Sequence, residues 1–216
     1  MLAADIAMTD RSSIKPRQPV QDADLTAAAR IRNAALEQFA DAGVADTSIR
    51  DVARAAGTSS GLVQHHFKTK AKLRDAVNAY VTSIVVEAFG DPLAAEGPED
   101  PIQAAGDRIT AFVAENPTAL RYLGRALADN DPAAREVFDV FVQTIATNLE
   151  QLAERGSLHD DLDLTWAAMH LVIFNLATVL FEAAIDGNLP APWLDPSQLR
   201  RWNVATTELY RRGMFR

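Results

Sequence analysis

The sequence of 216 residues contains no cysteine, and tryptophan and tyrosine occur only three times each. Without cysteine there are no disulfides, thiol nucleophiles or thiolate metal ligands, which is typical of proteins in a reducing cytoplasm, where we expect this one. The first residues do not have the pattern of a signal peptide. The apolar stretch at 164–185 contains His170, Asn175 and Glu182 between acidic flanks, so we do not expect a membrane span or a membrane partner.

Motifs for catalysis are also scarce. There is no His-x-x-x-His pair, and "GTSSG" at 57–61 lacks the lysine and the spacing of a nucleotide-binding loop. The potential metal ligands in "HDDLD" at 159–163 have a simpler interpretation, in which Asp161 or Asp163 caps the next helix. We therefore predict that the protein is not an enzyme and holds neither a cofactor nor a metal.

A net positive charge occurs only in the first part of the chain. The net charge is −8, yet residues 1–80 hold 11 Lys/Arg against 9 Asp/Glu. Only this part suits a polyanion. Residues 1–24 are predicted to be a disordered arm. Its Arg11, Lys15 and Arg17 either reach a minor groove or belong to a simple flexible tail, since nearby aspartates almost cancel their charge.

Helical patterns fill the rest of the sequence. Ile31, Ala35 and Phe39 share one face of a first helix that Gly43 ends, and a short second helix ends at Gly57. "SSGLVQHHF" fits a third, and a longer fourth follows. Two short helices joined by a glycine-containing turn and packed on another predict a helix-turn-helix unit, whose second helix fits the DNA major groove. A plain helical hairpin with polar surface residues is the alternative.

The stretch 30–77, "RIRNAALEQFADAGVADTSIRDVARAAGTSSGLVQHHFKTKAKLRDAV", resembles the DNA-binding domain of the TetR (tetracycline-repressor-like) regulators. The resemblance lies in "AALEQFADAG", "TSIRDVARAAG", the glycine that opens the third helix, "HHF" and Lys70. It implies an all-α fold, with an N-terminal three-helix helix-turn-helix domain at 25–75. A larger helical ligand-binding and dimerisation domain follows at 76–216.

The resemblance also implies contacts with double-stranded DNA at the starts of the second and fourth helices and along the third. The candidate residues are Thr47, Ser48, Thr58, Ser59, Ser60, Gly61, Leu62, Gln64, His65, His66 and Lys70. Gln64 stands where the family most often has tyrosine, and glutamine is able to pair with adenine, so the operator sequence does not transfer. His66 either lies near the DNA backbone or packs beside Phe67.

The second part of the chain divides into helices separated by proline, glycine, aspartate or asparagine. Residues 163–186 and 196–212 match the helices through which the family forms homodimers. Two-fold symmetry then places two recognition helices about 34–36 Å apart on a palindromic operator. The resemblance implies a repressor that a largely apolar small molecule releases. The alternative is a helical protein-interaction adaptor that has lost DNA binding.

An effector pocket is expected to be mostly apolar with a few polar groups. The candidates are Phe89, Phe112, Arg121, Tyr122, Arg125, Phe138, Phe141, Trp166, His170, Phe174 and Asn175. Core packing is the alternative for each aromatic residue. Arg125 is the expected partner of an acidic ligand, and Trp166 lies one helical turn from His170.

Overall fold

The computed structural model describes residues 26–91 and 100–214, which form ten α-helices. They are α1 (Ala27–Ala42), α2 (Ile49–Ala55), α3 (Ser60–Phe67), α4 (Lys70–Phe89), α5 (Pro101–Glu115), α6 (Pro117–Ala128), α7 (Pro132–Glu154), α8 (Leu164–Leu180), α9 (Glu182–Asp186) and α10 (Pro196–Met214). The predicted all-α fold is confirmed. The predicted arm at 1–24 lies outside the described residues. None of the helices within 26–91 and 100–214 has the length and apolar character needed to cross a membrane.

Short polar side chains begin the first four helices. Thr26, Ser48, Ser59 and Thr69 each accept a hydrogen bond from a backbone N–H of the helix they precede. These bonds satisfy amides that have no partner within the helix. Of the two adjacent hydroxyl residues before α2, Thr47 and Ser48, it is Ser48 that caps the helix.

Three helices end in the same way, at a residue with positive φ. Gly57, Asn130 and Gly156 follow α2, α6 and α7 with φ of 61°, 56° and 69°. After each, the next residue donates its N–H to a carbonyl five positions back, as in the bond from Thr58 to Ala53. This is the Schellman motif, which favours glycine or asparagine at the left-handed position. The predicted end of α2 at Gly57 is confirmed.

The N-terminal unit packs α1, α2 and α3 around a small apolar core. Ile31, Phe39, Val52 and Val63 are almost fully buried, and Leu73 of α4 joins them. The fourth helix, α4, continues well beyond this unit, because Val77, Val81 and Val85 are buried in the C-terminal domain. The predicted boundary between 75 and 76 therefore falls inside α4, and this helix belongs to both domains.

A buried hydrogen bond links α4 to α6. The hydroxyl of Tyr122 donates to Oδ1 of Asn78 at 2.6 Å, and the Tyr122 ring lies 6.2 Å from that of Phe39. Burial raises the pKa of Tyr122 far above its ordinary value, so the phenol remains a donor. One side chain of the C-terminal domain thus contacts both α1 and α4.

Two arginines tie the domains together nearer the surface. Arg125 of α6 donates to the carbonyls of Asp41 and Ala42, the last residues of α1, at 2.8 and 3.2 Å. Arg74 of α4 pairs with Asp131 at 3.3 Å, and Asp131 also caps α7. The C-terminal domain therefore contacts the N-terminal unit through both α6 and the start of α7.

The C-terminal helices form a bundle in which α7 packs between α4 and α8, α6 packs on α1 and α8, and α5 packs on α10. The single helix expected over 163–186 is wrong, because the chain turns at Phe181 and separates α8 from α9. The turn places Glu182 against Arg121, and the guanidinium of Arg121 donates a hydrogen bond to the Glu182 carboxylate at 3.0 Å. This tertiary ion pair accompanies a break that neither proline nor glycine marks in the sequence.

Replacing Tyr122 with phenylalanine tests the buried link between the domains. The substitution leaves Oδ1 of Asn78 buried without a donor, so we expect the free energy of unfolding to fall by about 1–3 kcal/mol. Urea denaturation measures the change. Tyr80→Phe is the matched control, since its ring, 3.9 Å from the Arg32 guanidinium carbon, is retained. Equal effects of the two substitutions would remove the special role of the hydrogen bond.

Candidate DNA-binding surface and effector cavity

The third helix buries one face and exposes the other. Val63 is fully buried, and Leu62 and Phe67 are half-buried against the core of the N-terminal unit. Gln64, His65 and His66 are exposed. The rings of His65 and His66 lie 5.4 Å apart edge to face, and His66 lies 6.3 Å from Phe67. The outward polar face predicted from the sequence is therefore present.

The starts of α2 and α3 are built to hold their backbone amides in place. Ser48 and Asp51 form a capping box, and the hydrogen bonds from the Ser48 hydroxyl and backbone N–H hold the pKa of Asp51 below its ordinary value. Ser59 caps α3 by accepting from the N–H of Leu62 at 3.2 Å. Ser59 is also the central serine of a G-x-S-x-G pattern, but it joins two helices, whereas the hydrolase motif joins a strand to a helix.

Lys70 has a fixed position at the start of α4. Its Nζ donates to the carbonyl of Ala45 in the loop between α1 and α2, at 3.0 Å. The contact holds the ammonium beside the helix-turn-helix unit. Because an ammonium has three donors, two of them stay available for an anion such as phosphate.

Thr47 does not face solvent as the sequence-based prediction requires. Its side chain is buried, and its hydroxyl donates to the carbonyls of Gln38 and Gly43 at 3.1 and 2.8 Å. The hydroxyl therefore closes the turn between α1 and α2. We remove the Thr47 side chain from the candidate DNA contacts.

The candidate DNA contacts chosen from the sequence do not include two basic residues of the same unit. Arg50 lies in the first turn of α2, and Lys68 lies between α3 and α4 with a φ of 57°. Both side chains are exposed. The sequence offered their charge as a signal, but charge alone does not distinguish a residue of this surface from any other exposed lysine or arginine.

Inside the C-terminal domain, two adjoining cavities lie between α4, α5, α7, α8 and α10. The larger has a volume of about 80 Å³ and the smaller about 30 Å³. Phe89, Ile109, Ile145 and Leu171 line both. In the smaller one the rings of Phe89, Phe112 and Phe141 lie 4.9–5.8 Å from one another. We call the two together the effector cavity.

Four of the pocket candidates line the effector cavity: Phe89, Phe112, Phe141 and Asn175. The others lie outside this cavity. Tyr122, Arg121 and Arg125 are engaged with Asn78, Glu182 and α1 respectively. Phe138 packs against the core elsewhere.

Trp166, His170 and Phe174 lie on the exposed side of α8. The ring contact of Trp166 with His170 spans 5.4 Å, as their spacing of one turn predicts, but it lies on the surface. Phe174 meets the ring of Tyr210 from α10 at 6.4 Å and lines an open groove between these helices.

The metal interpretation of "HDDLD" gains no support. Oδ1 of Asp163 accepts a hydrogen bond from the N–H of Trp166 and so caps α8, as the simpler interpretation predicted. Across 26–91 and 100–214, no three histidine, aspartate or glutamate side chains come together as candidate metal ligands.

Replacing Thr47 with valine distinguishes a turn-closing role from a phosphate contact. We expect the free energy of unfolding to fall by about 1–2 kcal/mol, because the hydroxyl proton that the carbonyls of Gln38 and Gly43 share is lost. The affinity of the folded protein for DNA is expected to stay unchanged. Thermal or urea unfolding and a DNA-binding titration at fixed salt concentration measure the two quantities. Thr58→Val, at a half-buried site in the α2–α3 turn, is the control for stability. Weaker DNA binding without loss of stability would restore Thr47 to the DNA contacts.

Comparison with known proteins addresses both parts of the chain. Residues 31–77 match the family of bacterial regulatory proteins of the tetR type, and residues 115–216 match a tetracyclin repressor-like C-terminal domain. The HTH-type transcriptional repressor Rv3405c of Mycobacterium tuberculosis is 32% identical over 175 residues, covering 80% of this chain and 82% of the relative. The HTH-type transcriptional regulatory protein RaaS of the same organism is 29% identical over 154 residues, 71% of this chain and 70% of the relative.

Solved structures share the fold. The ketosteroid transcriptional regulator KstR2 of Mycobacterium tuberculosis aligns with a TM-score of 0.65 at 18% identity, covering 88% of this chain and 96% of that one. A regulatory protein of the tetR family from Rhodococcus RHA1 aligns with a TM-score of 0.66 at 24% identity, covering 87% and 96%. With its helix-turn-helix unit and helical C-terminal domain, the chain belongs to the TetR family of transcriptional regulators.

Proposed function

We propose that this regulator is a homodimeric repressor that binds a palindromic operator and is released by a small molecule in the effector cavity. The observation that carries the proposal is the exposed polar face of α3, with Gln64, His65 and His66 pointing away from the packed core. An eight-residue helix with such a face fits the major groove.

The contacts divide by chemistry. Gln64 and His65 are assigned to base edges, for which their hydrogen-bonding groups are suited. His66 and Lys70 are assigned to phosphate oxygens. The hydroxyls and backbone amides at the starts of α2 and α3 are assigned to phosphates as well, and they belong to Ser48, Thr58, Ser59 and Ser60. A side chain at Gly61 would meet only Ser59 Oγ at 3.8 Å, so this glycine keeps the surface low for the approach of DNA. Leu62 is half-buried and offers its exposed part to a thymine methyl group.

The dimer is inferred from an uncovered apolar face on α8 and α10. It comprises Trp166, Ile173, Phe174, Leu180, Phe181, Val204 and Leu209, each at least 40% exposed. An exposed patch of this size is typical of an interaction site. A second copy of the same chain covers it with an equivalent surface, and the resulting two-fold axis relates the two α3 helices.

A physical route from the cavity to DNA runs along α4. This helix has 20 residues and is therefore about 30 Å long. Lys70 at its first position belongs to the DNA-binding surface, and Phe89 at its last lines both parts of the effector cavity. A ligand that displaces Phe89 also displaces the helix that supports α3.

The volume of the cavity determines which conformation of the protein a ligand favours. Pockets for drug-sized ligands measure roughly 300–1,000 Å³, whereas the larger part of this cavity has about 80 Å³. A drug-sized ligand therefore binds only a conformation in which the cavity is wider. Since a ligand shifts an equilibrium only through its different affinities for the two conformations, binding favours the widened one, in which α4 has moved.

Selection of bound duplexes from a random DNA pool tests the operator assignment. We expect the wild type to enrich a palindrome and Gln64→Ala to relax its inner bases. Lys70→Gln removes the charge but keeps a donor for the Ala45 carbonyl. It is expected to weaken binding to all sequences and to lower the salt slope by about one per lysine. If a folded wild-type protein enriches no palindrome at low salt, the adaptor interpretation replaces the repressor.

Sedimentation tests the dimer. We expect the wild type to sediment as a dimer and the double variant Phe181→Glu, Val204→Glu as a 23.5 kDa monomer, because four charges would otherwise be buried at the two-fold interface. Val86→Glu is the control, since Val86 is 47% exposed but lies on α4. A wild-type monomer, or a double variant that stays dimeric, contradicts the assignment of this face.

A further inference from the structure

In the mostly apolar wall of the effector cavity, two buried polar atoms have no hydrogen-bond partner among the residues that the structure describes. These are Oδ1 of Asn175 in the smaller part and the hydroxyl of Tyr210 in the larger part. A polar atom that is buried without a hydrogen bond lowers the stability of the protein, so such atoms are uncommon unless a ligand or a water molecule supplies the bond.

Asn175 is built into the wall of the smaller part. Its side chain is buried, with 6% of its surface exposed, and the other residues that line this part are all apolar. Nδ2 donates to the carbonyl of Leu171 at 2.7 Å. Because that carbonyl only accepts, it fixes the amide group with its N–H₂ toward Leu171. Oδ1 is thereby left as an acceptor among the rings of Phe89, Phe112 and Phe141.

Tyr210 gives the larger part a second, uncharged polar atom. Burial raises the pKa of Tyr210 to about 12, so its hydroxyl keeps its proton at neutral pH. Arg108 lines only the larger part, where its guanidinium donates to the Asp91 carbonyl at 3.0 Å. The smaller part, beside Asn175, is lined by no charged residue. It therefore offers a hydrogen bond to a neutral group and no compensation for an ionised one.

The depth of the cavity is limited by the contact of α5 with α10. A Cβ added at Gly106 would collide with the Thr207 hydroxyl, so the two helices are as close as glycine permits. An engineered apolar cavity of about 150 Å³ holds benzene. A cavity of about 80 Å³ with an adjoining part of about 30 Å³ thus suits a molecule of about one ring after slight widening.

We infer that the effector is an uncharged, mainly apolar molecule of about one ring whose hydroxyl or N–H group donates to Oδ1 of Asn175. This inference rests on the proposed function for its regulatory meaning, but the binding itself does not require DNA. It replaces the expectation of an acidic ligand held by Arg125, whose guanidinium is engaged with the end of α1.

Three probes that share a benzyl group separate the contributions to binding, and the first two are of equal size. They are benzyl alcohol, ethylbenzene and phenylacetate, which carry a hydroxyl, a methyl and a carboxylate on the same benzyl group. Calorimetry or ligand-induced thermal shift with the full chain measures their affinities for the wild type and for Asn175→Leu, which keeps a side chain of similar size without the acceptor. Thr178→Val is the matched control, because it removes another polar group of α8 that bonds back to a carbonyl.

We expect the ratio of benzyl alcohol affinity to ethylbenzene affinity to fall about tenfold in Asn175→Leu. The ratio is expected to stay within about twofold of the wild type in Thr178→Val, and phenylacetate to bind more weakly than benzyl alcohol throughout. An unchanged ratio in Asn175→Leu, tighter binding of phenylacetate, or no binding of any probe to the folded wild type overturns the inference.

Operator binding is measured separately on the same proteins, so the two proposals fail independently. An intact operator complex with an unchanged affinity ratio refutes only the assignment of Asn175. If the affinity ratio falls in Asn175→Leu but the wild type enriches no operator, only the proposed repressor function is refuted.

Discussion

The hydrogen bond between Tyr122 and Asn78 sets the register of α6 against α4, and the rest of the molecule is arranged around that crossing. Both side chains are buried, so sliding one helix past the other leaves an amide oxygen without a donor. The contacts of Arg125 with α1 and of Arg74 with Asp131 lie around the same junction. The two domains are thus joined by directional polar contacts in addition to apolar packing, which tolerates small shifts more easily.

At this junction α4 passes from one domain into the other. Its first half packs with the helix-turn-helix unit through Leu73, and its second half ends among the aromatic rings of the effector cavity at Phe89. A helix is stiff over this length, so a displacement at one end is carried to the other. The hydrogen bond of Asn78 with Tyr122 lies between these two ends of the helix.

Much of the fold could be predicted from local sequence, because caps and terminators act over a few residues. The end of α2 at Gly57 and the cap at Asp163 are examples. The outward face of α3 also followed from spacing, since Val63 and Phe67 are one turn apart and point inward. These features depend on neighbours within a helical turn or two, and the residue types alone specify them.

Two of the errors involve a partner far away in the chain. Arg125 was placed in a pocket, but its acceptors on α1 are more than 80 residues distant. The turn after α8 accompanies an ion pair between Arg121 and Glu182, 61 residues apart. Periodicity contains no information about such pairs. The acceptors of the Thr47 hydroxyl, Gln38 and Gly43, are only nine and four residues away, but the turn that brings them together leaves no mark in a helical pattern.

The position of α10 has a consequence for how a dimer would answer its effector. Thr207 and Tyr210 of this helix form part of the cavity wall, while Val204 and Leu209 point outward on the uncovered apolar face. In the proposed dimer, the thickness of one helix would separate the wall of each cavity from the neighbouring subunit. Occupancy of one cavity would then strain a surface shared by both subunits, and the two binding events would be energetically coupled.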